Sequence, residues 1–261
     1  MAECAERQAA VDRSLEAGWA SIGAGALEAA VAAVRALEDE PSLNAGIGAC
    51  FNRDGVIELD AGAMEGTELR AGAVGAVRDV RHPVDLARTI LETGPPVLIV
   101  GEGASRYARE HGLQMTEPST FETERQRRNL EQMLVEADTV GAVARDAEGH
   151  VAVAVSTGGM TGKLPGRLGD TPVPGAGFYA KNGAGAACGT GLGEAFIRLA
   201  LCHLAIVELQ HGMSAQEVAE GAVEYLGAKT GAKGGIIVVP AEGDPAHAFN
   251  TPFMPVAMRV G

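Results

Sequence analysis

The chain has 261 residues, 46% apolar and 21% charged, enough for one large domain with a full core or two small ones; one layered domain is the expectation. Its 34 acidic against 21 basic residues give a formal charge of −13, which argues against a nucleic-acid partner, because binding a phosphate backbone depends on clustered Lys and Arg. No apolar run approaches the roughly 20 residues of a membrane span, and Cys4, Cys50, Cys188 and Cys202 form neither a CxxC pair nor a zinc-site spacing, so with no apolar leader a reducing cytoplasm is expected.

In chain order, residues 5–20 and 26–39 carry Ala, Leu, Glu and Arg in helical spacing, with Leu27, Val31 and Val34 at i, i+4, i+7, and predict two amphipathic helices. Pro41 ends the second, and Leu43-Asn44-Ala45-Gly46-Ile47-Gly48 is too glycine-rich to continue it, since Gly costs about 1 kcal/mol per helical position relative to Ala. Residues 56–60 and 72–77 predict strands, 83–92 a helix, 96–100 a buried strand and 104–110 a helix. From Met115 to Glu136 the composition turns polar and charged, which predicts a linker, about 113–138 at its widest. Within it Arg125, Arg127 and Arg128 stand among Glu122, Glu124 and Glu131 and read as the solvated face of a helix. Residues 140–145 and 151–155 predict strands joined by the tight turn Asp146-Ala147-Glu148-Gly149, so Thr139 begins a hairpin strand. A single helix over 193–210, another over 215–226, and strands over 235–239 and 247–249 complete the chain, without internal repeats.

A threonine opening a strand is ordinarily a β-branched residue in a sheet. Its hydroxyl is a poor nucleophile at neutral pH and needs a base in contact. A threonine at a chain terminus carries that base itself, an α-amine with a pKa of about 7.7–8.0. Cutting between Asp138 and Thr139 creates such an amine: Thr139 attacks the Asp138 carbonyl, and water hydrolyses the resulting ester. The pieces would be residues 1–138 and 139–261.

Three motifs surround Thr139: Thr139-Val140-Gly141-Ala142-Val143, the run from Ser156-Thr157-Gly158-Gly159-Met160 through Lys163-Leu164-Pro165-Gly166-Arg167-Leu168-Gly169-Asp170, and Gly189-Thr190-Gly191-Leu192-Gly193-Glu194. With Leu43 to Gly48, Glu58-Leu59-Asp60-Ala61 and Arg70-Ala71-Gly72 upstream, they closely resemble the plant-type asparaginase and isoaspartyl peptidase family, in the family's order over almost the whole chain. The resemblance implies an α+β fold, a four-layer αββα sandwich of the N-terminal-nucleophile hydrolase type, self-cleaved into α and β pieces that pair as a dimer of heterodimers. The implied activity is hydrolysis of the side-chain amide of L-asparagine and of β-aspartyl dipeptides, without a cofactor for the chemistry. Thr139 would be the nucleophile and Thr157 would hydrogen-bond to it. Arg167 and Asp170 would clamp the substrate's free α-carboxylate and α-amine. Thr190 and the Gly191 amide would stabilise the oxyanion, Gly193 would allow close substrate approach, and Asn44 and Gly159 would support the site. Backbone carbonyls of Leu37, Glu38, Glu40, Leu43, Ala45 and Ile47 would hold a structural sodium.

Read without the resemblance, Thr157 is a cross-strand hydroxyl, Arg167 and Asp170 a surface ion pair, and Asn44 a turn residue. Gly189 to Ala195 also reads as a phosphate-cradling turn, although its spacing is GxGxG rather than GxGxxG. A glycosylasparaginase-like amidase and a catalytically impaired binding protein on the same fold are further alternatives. The chain departs from the family in Gly162, where an Asn is usual, in a shorter linker, and in lacking a first strand that ends in a His-Gly-Gly-Ala-Gly turn. Without that strand, an uncovered apolar face, unpaired strand groups, lower stability and slow maturation are expected.

Overall fold

The computed structural model describes residues 2–134 and 138–261. Two helices, α1 (Ala2–Ser21) and α2 (Ala26–Glu38), open the chain, followed by an antiparallel pair, β1 (Leu59–Glu65) and β2 (Ala71–Val77). Then come α3 (Pro83–Thr93), β3 (Leu98–Val100), α4 (Gly101–Glu110) and α5 (Glu124–Glu131). The hairpin β4 (Val140–Arg145) and β5 (Val151–Thr157) completes a five-stranded sheet of order β3-β2-β1-β5-β4. A second sheet of order β6-β7-β8-β9 holds β6 (Phe178–Lys181), β7 (Gly185–Gly191), β8 (Gly234–Pro240) and β9 (Ala246–Phe249). The helices α6 (Gly193–Leu199), α7 (Leu201–Gln210) and α8 (Ala215–Thr230) lie between β7 and β8 in sequence.

The sheets face each other across a core of Met64, Val151, Val153, Val155, Phe178 and Ala186. On its outer side the first sheet packs against α2, α3 and α4 through Val31, Val34, Leu86, Ile90 and Ala104, and the second packs against α7 and α8 through Leu201, Ile206, Val218 and Leu226. The layers are therefore helix, sheet, sheet, helix, the sandwich that the resemblance implies. Being covered on both faces explains why all seven residues of β5 are buried and its sequence runs Val-Ala-Val-Ala-Val instead of alternating with polar residues. Gly62 in β1 sets the sheet separation: a Cβ there would lie 2.3 Å from the Phe178 ring. A capping box of Ser214 and Glu217 starts α8.

The boundaries differ from expectation where tertiary contacts override local pattern. The predicted helix over 193–210 is two helices, broken at Ala200 with φ 48 and ψ 47. The break lets the first amides of α7 dock on the 175–177 turn, Cys202 N–H donating to Ala176 O at 3.4 Å and His203 N–H to Gly175 O at 2.9 Å. The strand expected over 56–60 begins at Leu59, because Asn52 Oδ1 accepts the amides of Asp54 and Val56 and winds that stretch into a turn. The strand expected to be buried over 96–100 is the sheet edge, with Leu98 42% and Val100 49% exposed. The predicted linker is partly folded: Phe121 closes a short helical turn, Pro118–Phe121, with its side chain fully buried, and α5 follows. Residues 135–137 of that stretch lie outside the described residues.

Among the described residues β4 is the outer strand of its sheet. Beyond it opens a cavity of about 1010 Å³, walled by Val11 and Leu15 of α1, Ala33 of α2, Ile237 of β8 and the C-terminal residues 253–261. No helix among the described residues is long and apolar enough to cross a membrane.

Candidate active site

The hairpin register brings the site together. Val140 pairs with Ser156, which sets Thr139 and Thr157 side by side at one end of the first sheet, while Thr190 and Gly191 end β7 on the facing sheet. The long turn between β5 and β6 carries Gly159, Arg167, Asp170 and Thr171 to the same place, so Thr139, Thr157, Arg167, Asp170, Gly191 and Gly193 line one small pocket.

In the uncut chain the Asp138 carbonyl oxygen accepts two hydrogen bonds, from Asn44 Nδ2 at 3.0 Å and Thr157 Oγ1 at 3.1 Å. Asn44 is fixed at both ends of its amide: Nδ2 also donates to Gly159 O at 2.8 Å, and Oδ1 accepts the Cys50 amide at 2.8 Å. The Thr157 oxygen accepts the Gly159 amide at 3.0 Å, which leaves its own proton for Asp138. Thr157 thus meets the carbonyl before Thr139 rather than the expected Thr139 hydroxyl. Two aligned donors on one carbonyl polarise it and stabilise any negative charge that an attack would build there. Arg7 Nη1 donates to Asp138 Oδ2 at 2.9 Å.

The Thr139 amide donates to Thr190 Oγ1 at 2.8 Å, and its hydroxyl lies 3.2 Å from Thr171 Oγ1. Thr171, 1% exposed, is the contact residue sequence reasoning missed, although it directly follows Asp170 in the run that carries the clamp residues. Gly191, at φ +144, packs closely on Lys233 O, where a Cβ would lie 2.5 Å away. At Gly193 a Cβ would lie 2.9 Å from both the amide nitrogen and Oδ1 of Asp170. The 189–195 turn is therefore closed by its own chain, with its hydroxyl turned to Thr139 instead of framing a phosphate cradle.

Arg167 and Asp170 share the pocket but do not pair with each other by hydrogen bonds. The Arg167 fork lies on Glu194, Nε to Oε1 at 2.9 Å and Nη2 to Oε2 at 2.7 Å, and this pairing, ahead of other causes, lowers the Glu194 pKa. Asp170 is 3% exposed and its Oδ2 has no hydrogen-bond partner among the described residues. Burial pushes its pKa up to about 7, against the pull of its own amide and of Arg167. Beneath the turn, fully buried Lys163 donates to Glu58 O at 2.9 Å, and Glu58 Oε2 accepts the Gly166 amide at 3.0 Å, pinning the residue before Arg167.

The 37–47 loop carries the six carbonyls implied for sodium. Four already accept a hydrogen bond: Leu37 from the Glu40 amide, Glu38 from Ile47, Glu40 from Leu43, and Leu43 from the Arg125 guanidinium. Each keeps a second lone pair.

The sequence pattern of the asparaginase family matches residues 1–137 and 131–261. The chain belongs to the asparaginase family. It is 43% identical to an isoaspartyl peptidase of Salmonella typhimurium, covering 93% of this chain and 84% of the relative. It is 42% identical to the isoaspartyl peptidase of Escherichia coli, covering 93% and 82%. It is also 39% identical to an isoaspartyl peptidase/L-asparaginase of Bos taurus, covering 90% and 80%. Asparaginases of this family are cofactor-independent hydrolases of the N-terminal-nucleophile type.

Proposed function

We infer that this asparaginase-family chain hydrolyses the side-chain amide of L-asparagine and the isopeptide bond of β-aspartyl dipeptides, releasing aspartate, after cutting itself between Asp138 and Thr139. The observation that carries the reading is the pair of donors, Asn44 and Thr157, on the carbonyl that directly precedes Thr139.

In the cut, Thr139 Oγ1 adds to the Asp138 carbonyl carbon and the charge on the oxygen is met by Asn44 and Thr157. The C–N bond breaks, the hydroxyl proton ends on the Thr139 nitrogen, and the resulting ester is hydrolysed by water. The product is a free α-amine on Thr139. That amine then takes the Oγ1 proton as Oγ1 attacks the substrate's side-chain carbonyl, with Thr190 and the Gly191 amide as oxyanion donors. The departing ammonia or amine takes the proton, and water releases aspartate from the acyl-enzyme.

Recognition falls to opposite charges at fixed separation. The open Asp170 oxygen suits the substrate's ammonium, and the Arg167 fork, now shared with Glu194, suits its α-carboxylate. A sodium ion on the 37–47 carbonyls would brace the loop without entering the chemistry, and a dimer of cleaved pairs belongs to the same proposal. The test is intact-mass measurement of the purified chain combined with aspartate release from L-asparagine and from β-aspartyl-leucine. Two fragments and release of aspartate are expected. One uncut mass after days at neutral pH, with no release, would overturn it.

A further inference from the structure

The segment that precedes the cut is fastened to the loop that aims Asn44. Arg125, near the start of α5, sets Nη2 3.3 Å from Pro41 O, 3.0 Å from Leu43 O and 3.3 Å from Gly48 O. A second tie lies beside it: the Gly48 amide donates to Phe121 O at 2.9 Å, and the Phe121 ring is buried with Ala49, Phe51, Ile57 and Leu59. The loop needs such a tie. Gly48, at φ +93, is wound so tightly that a Cβ would lie 2.5 Å from Pro41 O and 2.7 Å from Leu43 O. Carbonyl oxygens gathered on one side repel each other, and the Arg125 Nη2 amino group supplies the opposite charge and two N–H donors that the three oxygens share.

Leu43 immediately precedes Asn44, and Asn44 is the donor on the Asp138 carbonyl. A displacement of the loop by about 1 Å would lengthen that 3.0 Å bond beyond useful range. We propose that Arg125 is a positioning residue for self-cleavage: its Nη2 amino group, set among the Pro41, Leu43 and Gly48 carbonyls, holds the 41–48 loop so that Asn44 points at the Asp138 carbonyl. The segment next to the cut thereby organises one of the donors that makes the cut. This inference rests on the self-cleavage reading above, and the experiment separates the two.

Cleavage is timed by intact mass for the wild type, Arg125→Ala, Arg125→Lys, Asn44→Ala and the double variant Arg125→Ala/Asn44→Ala, each well below its melting temperature. Arg125→Ala is expected to slow the cut about tenfold or more, roughly 1.4 kcal/mol in the barrier. The double variant should be no slower than Asn44→Ala alone, since both changes remove the same donor's effect. Millimolar ethylguanidinium should restore part of the Arg125→Ala rate and none of the Asn44→Ala rate. Rates that multiply in the double variant, or fall only in step with melting temperature, would make Arg125 a stability residue and overturn the proposal. Should Arg125→Ala fail to fold, Arg125→Lys serves in its place, with slowed cutting at an unchanged melting temperature expected. If the wild type does not cut, the self-cleavage reading fails by itself, and hydrogen exchange of the 43–50 amides still decides the clamp. Faster exchange there in Arg125→Lys than in the wild type supports it, and unchanged exchange overturns it.

Discussion

The side-chain amide of Asn44 donates to the carbonyl oxygen of Asp138 at 3.0 Å across 94 residues of chain. Asn44 sits in a loop after α2, while Asp138 leads into β4, so their meeting exists only once α2 packs across the β4–β5 hairpin. Thr157, from the neighbouring strand, completes the pair of donors at 3.1 Å.

Removing one donor should show directly. Asn44→Ala is expected to slow self-cleavage by about 10²- to 10³-fold, the usual consequence of losing about 2.7–4 kcal/mol from one oxyanion donor. Thr139→Ala should remain one chain. Timed intact-mass spectra check both, and cutting of Asn44→Ala at the wild-type rate would show that the Asp138 oxygen does not carry the developing charge.

Thr171 gives a sharper contrast, because its hydroxyl lies 3.2 Å from that of Thr139. Thr171→Val keeps the volume and loses the hydroxyl, and is expected to lower kcat about tenfold with KM nearly unchanged. Thr171→Ser should recover most of the rate. A Val variant as fast as the wild type would make the contact incidental.

The pKa of Asp170, raised to about 7 by burial, sets a pH dependence. The clamp on the substrate's ammonium needs the ionised form, so KM for L-asparagine should fall as pH rises through about 7 and then level off. Stability moves the other way. The folded state holds this proton more tightly than the unfolded chain between the ordinary value, 3.8, and about 7, so stability declines as pH rises across that window. Asp170→Asn removes the decline: it should bind substrate poorly, yet melt above the wild type at about pH 8 and level with it near pH 4. Identical melting curves at the higher pH would refute the buried-charge account.

Arg167 divides binding from cutting. Arg167→Lys keeps the charge and loses the fork now seen on Glu194, so KM for β-aspartyl substrates should rise about tenfold or more while self-cleavage, which involves no free α-carboxylate, changes little. Equal damage to both steps would make Arg167 a structural residue.

The cavity along β4 invites an added strand. A segment of alternating apolar residues fused ahead of Met1 is expected to pair with β4, the outer strand among the described residues, and to raise the melting temperature by several degrees, since it would bury apolar surface and pair the edge N–H and C=O groups. Self-cleavage should quicken as well. An extended chain that melts and cuts like the original would show that this edge needs no cover.

The Val-rich run of β5, the Asp146 to Gly149 turn and the helical spacing of α2 are legible in the amino-acid sequence by itself, because they are local patterns, which propensity and short-range hydrogen bonding determine, whereas the motifs around Thr139, Arg167 and Asp170 are legible there only through their resemblance to the asparaginase family. The rest depends on atoms brought from far along the chain. β1 is Leu-Asp-Ala-Gly-Ala-Met-Glu, a poor strand by propensity, held because it pairs with β2 and β5 along its two edges and is buried throughout. The break at Ala200 follows from docking α7 on the 175–177 turn, and the partner of Thr157 from where Asp138 lies. Arg125, read as part of a solvated helical face, instead reaches three carbonyls 77 to 84 residues away. A side chain's identity limits which hydrogen bonds it can make, and only packing decides which partner stands within about 3 Å of it.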